Sequence, residues 1–205
     1  VAAIASYPQF SCTGEKIEVE TDWGVFKDIY CAGNDSVFTF LENILDEVID
    51  LFPSKYIHIG GDEAPKFRWK NCNKCQKRIV ENNLKDENEL QSYFINRIGK
   101  YLEKNNKQLI GWDEIMEGGI PKNAIVQSWR GMAGGKLAAE NSHYAIMSPT
   151  SHCYFDYDLQ SIDLEKVYSF DPIPIDLEKN KHNFILGGEC NMWSERAPQE
   201  KVDSK

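Results

Sequence analysis

Two hydrophobic rhythms alternate along this chain. Between residues 37 and 51, Phe38, Leu41, Ile44, Leu45 and Val48 recur at helical spacing, with Asn34, Asp35 and Ser36 ahead of them as capping candidates. Residues 87–105 carry a second helical stripe of Leu90, Phe94, Ile98 and Leu102, with Asp86 and Glu89 at capping-box spacing. Residues 133–140 read as a short helix entered through glycines, and 161–168 as another. Between them lie short apolar runs at 56–60, 108–112, 124–129, 144–148 and 184–189. Such runs predict strands buried on both faces, and their alternation with helices predicts a parallel sheet covered by helices.

The strand ends narrow the fold. The runs lead into Gly60-Gly61-Asp62-Glu63, Gly111-Trp112-Asp113-Glu114, Ser128-Trp129-Arg130, Ser148-Pro149 and Gly187-Gly188-Glu189. A doubly wound sheet concentrates its chemistry at one switch point. A (β/α)8 TIM barrel draws on the C-terminal ends of several strands, which matches this pattern better. A complete barrel has eight strands in about 250 residues. The expectation is therefore a partial barrel, about strands 4 to 8, forming one incomplete catalytic domain over 1–205. The opening Val1-Ala2-Ala3-Ile4-Ala5-Ser6 reads as mid-helix without a cap, so roughly three strands are expected upstream and a closing helix downstream.

Composition removes some function classes. A net charge of −9 disfavours nucleic acid as a partner. No apolar run approaches the roughly 20 residues that span a bilayer, so membrane insertion is not expected. The charge is compatible with neutral or cationic sugars. Six cysteines are present. Cys72-Asn73-Lys74-Cys75 is a lone CxxC, and without a second pair or histidines at similar spacing a zinc site is disfavoured. Cys12 and Cys31 flank a loop that a disulfide would close in an oxidising compartment; buried free thiols are an equal alternative. Unpaired sheet edges on a partial barrel would favour homo-oligomers.

Asp62 and Glu63 are the leading candidates for chemistry. On an extended backbone they would point to opposite sides and address two parts of one substrate. Trp112, Trp129 and Trp193 fall at or just beyond strand ends, where aromatic walls suit the apolar C–H faces of a sugar. Most glycosidases use two separated carboxylates flanking the bond. Adjacent acids suit another scheme, in which the substrate's own 2-acetamido carbonyl attacks the anomeric carbon while one acid donates the proton and the other holds the acetamide.

His58-Ile59-Gly60-Gly61-Asp62-Glu63, followed in order by Gly111-Trp112-Asp113-Glu114, Ser128-Trp129-Arg130-Gly131, Tyr154-Phe155-Asp156 and Met192-Trp193-Ser194-Glu195, resembles a family 20 glycoside hydrolase, a β-N-acetylhexosaminidase. The resemblance implies Glu63 as general acid and then base, its pKa raised by burial and by Asp62. It implies Asp62 on the acetamide N–H and Tyr154 on the acetamide carbonyl. Trp112, Trp129 and Trp193 would wall the pocket, and Asp156 and Glu195 would bind the outer hydroxyls of a glycan or amino sugar. It implies no metal or organic cofactor, and an exported parent protein (periplasmic, secreted or lysosomal).

Tyr157 and Asp158 offer a rival to the Tyr154 and Asp156 pairing. His58 is expected to pack under the rim, and Asp113, Glu114, Arg130 and Glu189 to act in support. His152 is an open candidate, and His143 and His182 read as surface residues. Two other functions remain: a conventional retaining glycosidase pairing Glu63 with Glu114 or Glu189, and a carbohydrate-binding protein with a degenerate pocket.

Overall fold

The computed structural model describes residues 2–194, so Val1 and 195–205 are outside the account. The described chain forms two compact units, residues 2–109 with 114–122 and residues 110–113 with 123–194.

In the first unit, α1 (Ala2–Ser6) precedes a long irregular segment and α2 (Asp35–Leu51). Strand β1 (Tyr56–His58) follows, then α3 (Phe67–Lys70), α4 (Asn73–Glu81), α5 (Glu87–Lys104) and the start of β2 (Gln108–Trp112). The caps arise locally. Asn34 Oδ1 accepts from Ser36 N at 3.1 Å, and Asp86 Oδ1 accepts from Asn88 N and Glu89 N at 2.8 and 3.0 Å. Glu89 reaches back to Lys85 N at 2.8 Å, one residue ahead of the helix cap, giving a shifted version of the expected box. The stripe on α5 buries Leu90, Ile95, Ile98 and Leu102. Phe38 of α2 packs on Phe94 at 4.7 Å between centroids, with the Arg97 guanidinium over its ring at 3.9 Å.

Strand β1 is shorter than expected and alternates strictly: Ile57 is buried while Tyr56 and His58 are exposed. The expectation of a histidine packed under the rim is thus overturned, because His58 lies on the open face of a three-residue strand. Its Nδ1 accepts from Gly60 N at 3.0 Å. Lys55 O beside β1 accepts from Gln108 N at 2.8 Å, which starts β2. An apolar cavity of about 390 Å³ lies among α2, β1 and α5, walled by Leu45, Val48, Ile57, Ile59, Phe94 and Ile95.

In the second unit β2 continues, followed by β3 (Ile125–Ser128), α6 (Ala133–Glu140), β4 (Ala145–Met147), α7 (Thr150–Cys153), α8 (Leu164–Tyr168) and β5 (Ile185–Gly188). β2 pairs with β3, β3 with β4 and β4 with β5, all parallel. Hydrogen-bonded neighbours follow chain order from β1 to β5, as in consecutive staves of a barrel. β3 is buried at every residue, its polar Gln127 and Ser128 included. α4 and the single turns α3 and α7 were not among the expected elements. No Cys12–Cys31 disulfide forms; all six cysteines are free thiols.

Candidate active site

The Gly60–Glu63 turn is built by backbone conformation. Gly60 and Gly61 have φ of 72° and 96°, and Glu63 has φ of 46°. At Gly61 a Cβ would stand 2.6 Å from Ile115 Cγ2, so glycine is required by space as well as by φ. Glu63 therefore stands in the left-handed region behind two positive-φ glycines, while Asp62, between them and Glu63, does not. This corrects the extended alternation expected from sequence. A non-glycine residue in this region costs on the order of 1–3 kcal/mol and persists where the surroundings impose it.

Those surroundings are visible. Gln91 of α5 is buried and donates to Gly61 O at 2.9 Å. Lys66 Nζ, just downstream, pairs with Glu117 Oε2 at 3.1 Å. Desolvation raises the pKa of Glu63, and the neighbouring Asp62 charge raises it further. Gln91 is the residue that sequence reading missed; its signal is a polar side chain beside Leu90 in an otherwise apolar stripe.

In the second unit the aromatic candidates come together in pairs. Trp112, at the end of β2, is buried and lies 6.2 Å from Trp193 between ring centroids. Trp193, beyond β5, is 42% exposed, so the pair presents one covered and one open ring. Trp129, directly after β3, stacks on Tyr154 at 6.4 Å with 28° between planes.

Tyr154 and Asp156 are both buried. They lie on a turn and not on an extended segment, since Tyr157 N donates to Tyr154 O at 3.1 Å. The rival Asp158 is exposed. A parallel bridge joins Tyr154 to Asn191, with Phe155 N on Asn191 O at 2.8 Å and Asn191 N on Cys153 O at 2.7 Å. Through it the Tyr154 turn is registered against the segment that carries Trp193. Asn191 is a further residue that sequence reading missed. Glu195 lies outside the described residues.

The supporting residues resolve individually. Asp113 is buried and accepts from Arg130 Nε at 2.5 Å, from Arg130 N at 3.3 Å and from Ser128 Oγ at 3.5 Å. It thus fixes the turn on which Trp129 sits. Asp113→Ala would leave these donors without their acceptor, and we expect a loss of about 1–3 kcal/mol in urea unfolding. A changed Trp129 emission is expected with it. Glu189 is exposed and accepts from Gln127 Nε2 at 2.9 Å, while Glu114 is buried in the first unit. His152 Nδ1 lies 2.8 Å from Ser151 Oγ, and its ring faces Phe170 at 5.6 Å. His143 and His182 are half-buried, near Ala124 O at 3.4 Å and Leu177 O at 2.9 Å respectively, and so are not the open surface residues expected.

A family profile described as "Glycosyl hydrolase family 20, catalytic domain" matches residues 1–205. The chain belongs to glycosyl hydrolase family 20. Within this family it is 48% identical to a Beta-hexosaminidase of Porphyromonas gingivalis, across 95% of this chain and 27% of that protein. It superposes on a beta-N-acetylhexosaminidase from Bacteroides fragilis with a TM-score of 0.81 at 32% identity, covering 95% of this chain and 41% of that one. For the Flavobacterium johnsoniae chitobiase the TM-score is 0.84 at 32% identity, covering 95% and 30%. The family 20 chain thus spans well under half the length of these relatives. The partial α/β barrel expected from its strand ends is the fold it shares with them. Among the described residues no helix is long and apolar enough to cross a membrane.

Proposed function

We propose that the protein to which this chain belongs hydrolyses terminal β-linked N-acetylhexosamine from glycans, with retention and with the substrate's 2-acetamido group as nucleophile. The observation that carries this reading is the Asp62-Glu63 pair, held in a strained turn with the pKa of Glu63 raised, in a chain of family 20. In the first step Glu63 gives its proton to the glycosidic oxygen as the C1–O bond breaks. The acetamide carbonyl oxygen bonds to C1 and an oxazolinium ion forms. Asp62 accepts the acetamide N–H and balances the developing charge; Tyr154 donates its hydroxyl to the acetamide oxygen. In the second step the Glu63 carboxylate takes a proton from water, which attacks C1 and opens the ring. Trp112, Trp129 and Trp193 wall the sugar, and Asp156 and Glu195 take its outer hydroxyls.

We also infer that residues 1–205 supply about strands 4 to 8 of the barrel. Five strands stand against the eight of a barrel, and apolar side chains are exposed at both ends of the strand order: Ile44, Leu51 and Phe52 near β1 and Leu186 on β5. The isolated chain would offer those edges for self-association, so assays belong on the full-length protein.

The test is substrate choice. Full-length protein is expected to cleave an aryl β-N-acetylglucosaminide and to leave the matched aryl β-glucoside intact. Equal rates would remove the acetamide from the mechanism and favour a two-carboxylate glycosidase. Binding of the sugar without turnover would favour a lectin-like role.

A further inference from the structure

We propose that Cys12, Cys31, Cys72 and Cys75 form a structural zinc site in which four thiolates enclose one ion tetrahedrally. The four sulfurs come from two distant segments and lie within 4.8 Å of one another. Cys12 to Cys75 is 3.8 Å, Cys31 to Cys72 is 3.7 Å and Cys31 to Cys75 is 3.7 Å. Four sulfurs held about 2.3 Å from one ion at tetrahedral angles lie about 3.8 Å apart. The three contacts match three of the six edges of that tetrahedron, and the other three are within 4.8 Å.

Disulfides fit the arrangement poorly. A disulfide brings one sulfur to about 2.05 Å of one partner. Here Cys31 and Cys75 each contact two other cysteines, so no pairing is singled out. The ligand set is also closed. Cys31, Cys72 and Cys75 are buried and Cys12 is half-buried, which leaves four protein ligands and no open position, as in structural and not catalytic zinc sites.

The backbone is shaped to bring the two segments into contact. A Cβ at Gly33 would fall 2.2 Å from Lys74 C and 2.4 Å from Cys75 N. Only glycine lets the Cys31-Ala32-Gly33 turn rest on the Cys72-Asn73-Lys74-Cys75 turn at that distance. Cys72 occupies the N-cap position of α4 and Cys75 lies in its first turn, so the CxxC is presented by a helix start. The expectation against zinc rested on the lack of a second cysteine pair near the first in sequence. Cys12 and Cys31 supply that pair through the fold.

Binding would release the four thiol protons to solvent and tie the irregular segment before α2 to α4. Trp69 packs in the same core cluster as Cys31, Cys72 and Cys75, with its Nε1 donating to Tyr30 O at 2.8 Å. Its helix, α3, follows the Glu63 turn closely. The ion therefore braces the segment leading away from the acid pair, without touching substrate.

The experiment is metal analysis of full-length protein purified from zinc-supplemented culture and dialysed against EDTA. One zinc per chain is expected, with the exposed Cys190 reacting freely and Cys12, Cys31, Cys72 and Cys75 protected until a mercurial releases the metal. Replacement by cobalt should give the intense visible ligand-field bands of a tetrahedral thiolate complex. Cys75→Ser should lose the zinc, and Cys190→Ser should keep it. The wild-type measurements decide the matter even if Cys75→Ser does not fold. Zinc-free protein in which Cys12, Cys31, Cys72 and Cys75 all titrate as thiols, or pair as two disulfides, would overturn the site. Bound iron in place of zinc would overturn the choice of ion, and zinc retained by Cys75→Ser would overturn the ligand set.

Discussion

Glu63→Gln is expected to lower the rate on a natural glycan by about 10²–10⁴-fold, the usual contribution of a positioned acid or base. The loss should depend on the leaving group. A glycan alkoxide leaves only when protonated, so its cleavage needs the acid. A nitrophenolate leaves unaided, so on that substrate the first step should survive and the second, which needs Glu63 as base, should become limiting. Azide attacks the oxazolinium without a base and should restore turnover of the aryl substrate, giving a β-glycosyl azide. The pH profile supplies an independent check. Glu63 acts first as the protonated acid, and its pKa is raised by desolvation and by Asp62. Wild-type kcat/KM should therefore fall as pH rises through that raised value. Glutamine does not titrate, so the basic limb should vanish in the variant. A full basic limb in Glu63→Gln would assign the acid to another residue, with Glu114 and Glu189 the candidates.

Much of this fold is legible in the apolar pattern, because β2, β3 and β4 have no exposed residue and their short apolar runs show it. Each of the five expected strands is present within two residues at either end, and α2, α5 and α6 are where their stripes put them. The aromatic and acidic strand ends were equally legible, since position at a strand terminus is a local property. Three features were not.

The turn at Asp62-Glu63 depends on positive φ at a glutamate, which propensity argues against, and on Gln91 and Ile115 of other elements, which close on Gly61 just ahead of it. α4 is polar, and the CxxC motif masks the helical spacing of its buried Cys75 and Ile79. The convergence of four cysteines is tertiary. It depends on Gly33 admitting a close backbone approach, and no spacing rule carries that information.

Asp62→Asn should cost on the order of 10²–10³-fold in kcat, comparable to removing one preorganised electrostatic partner from a developing charge. Asparagine keeps the size and an acceptor for the acetamide N–H. It gives up the negative charge opposite the oxazolinium, so binding should change less than turnover. A second consequence has a definite sign. The Asp62 charge is one of the two causes that raise the Glu63 pKa. Removing it favours ionised Glu63, lowers that pKa and moves the basic limb of kcat/KM to lower pH. Loss of rate and an acidic shift of the limb should therefore appear together. Stepwise fluorination of the substrate's N-acetyl group weakens its carbonyl as a nucleophile and should slow the wild type steeply. In Asp62→Asn the same series should remain steep, because the acetamide still attacks, only with less stabilisation. Near-wild-type turnover of Asp62→Asn, or a flat response of the wild type to fluorination, would remove the acetamide from the chemistry. Asp62 would then be left as a neighbour whose charge only tunes Glu63.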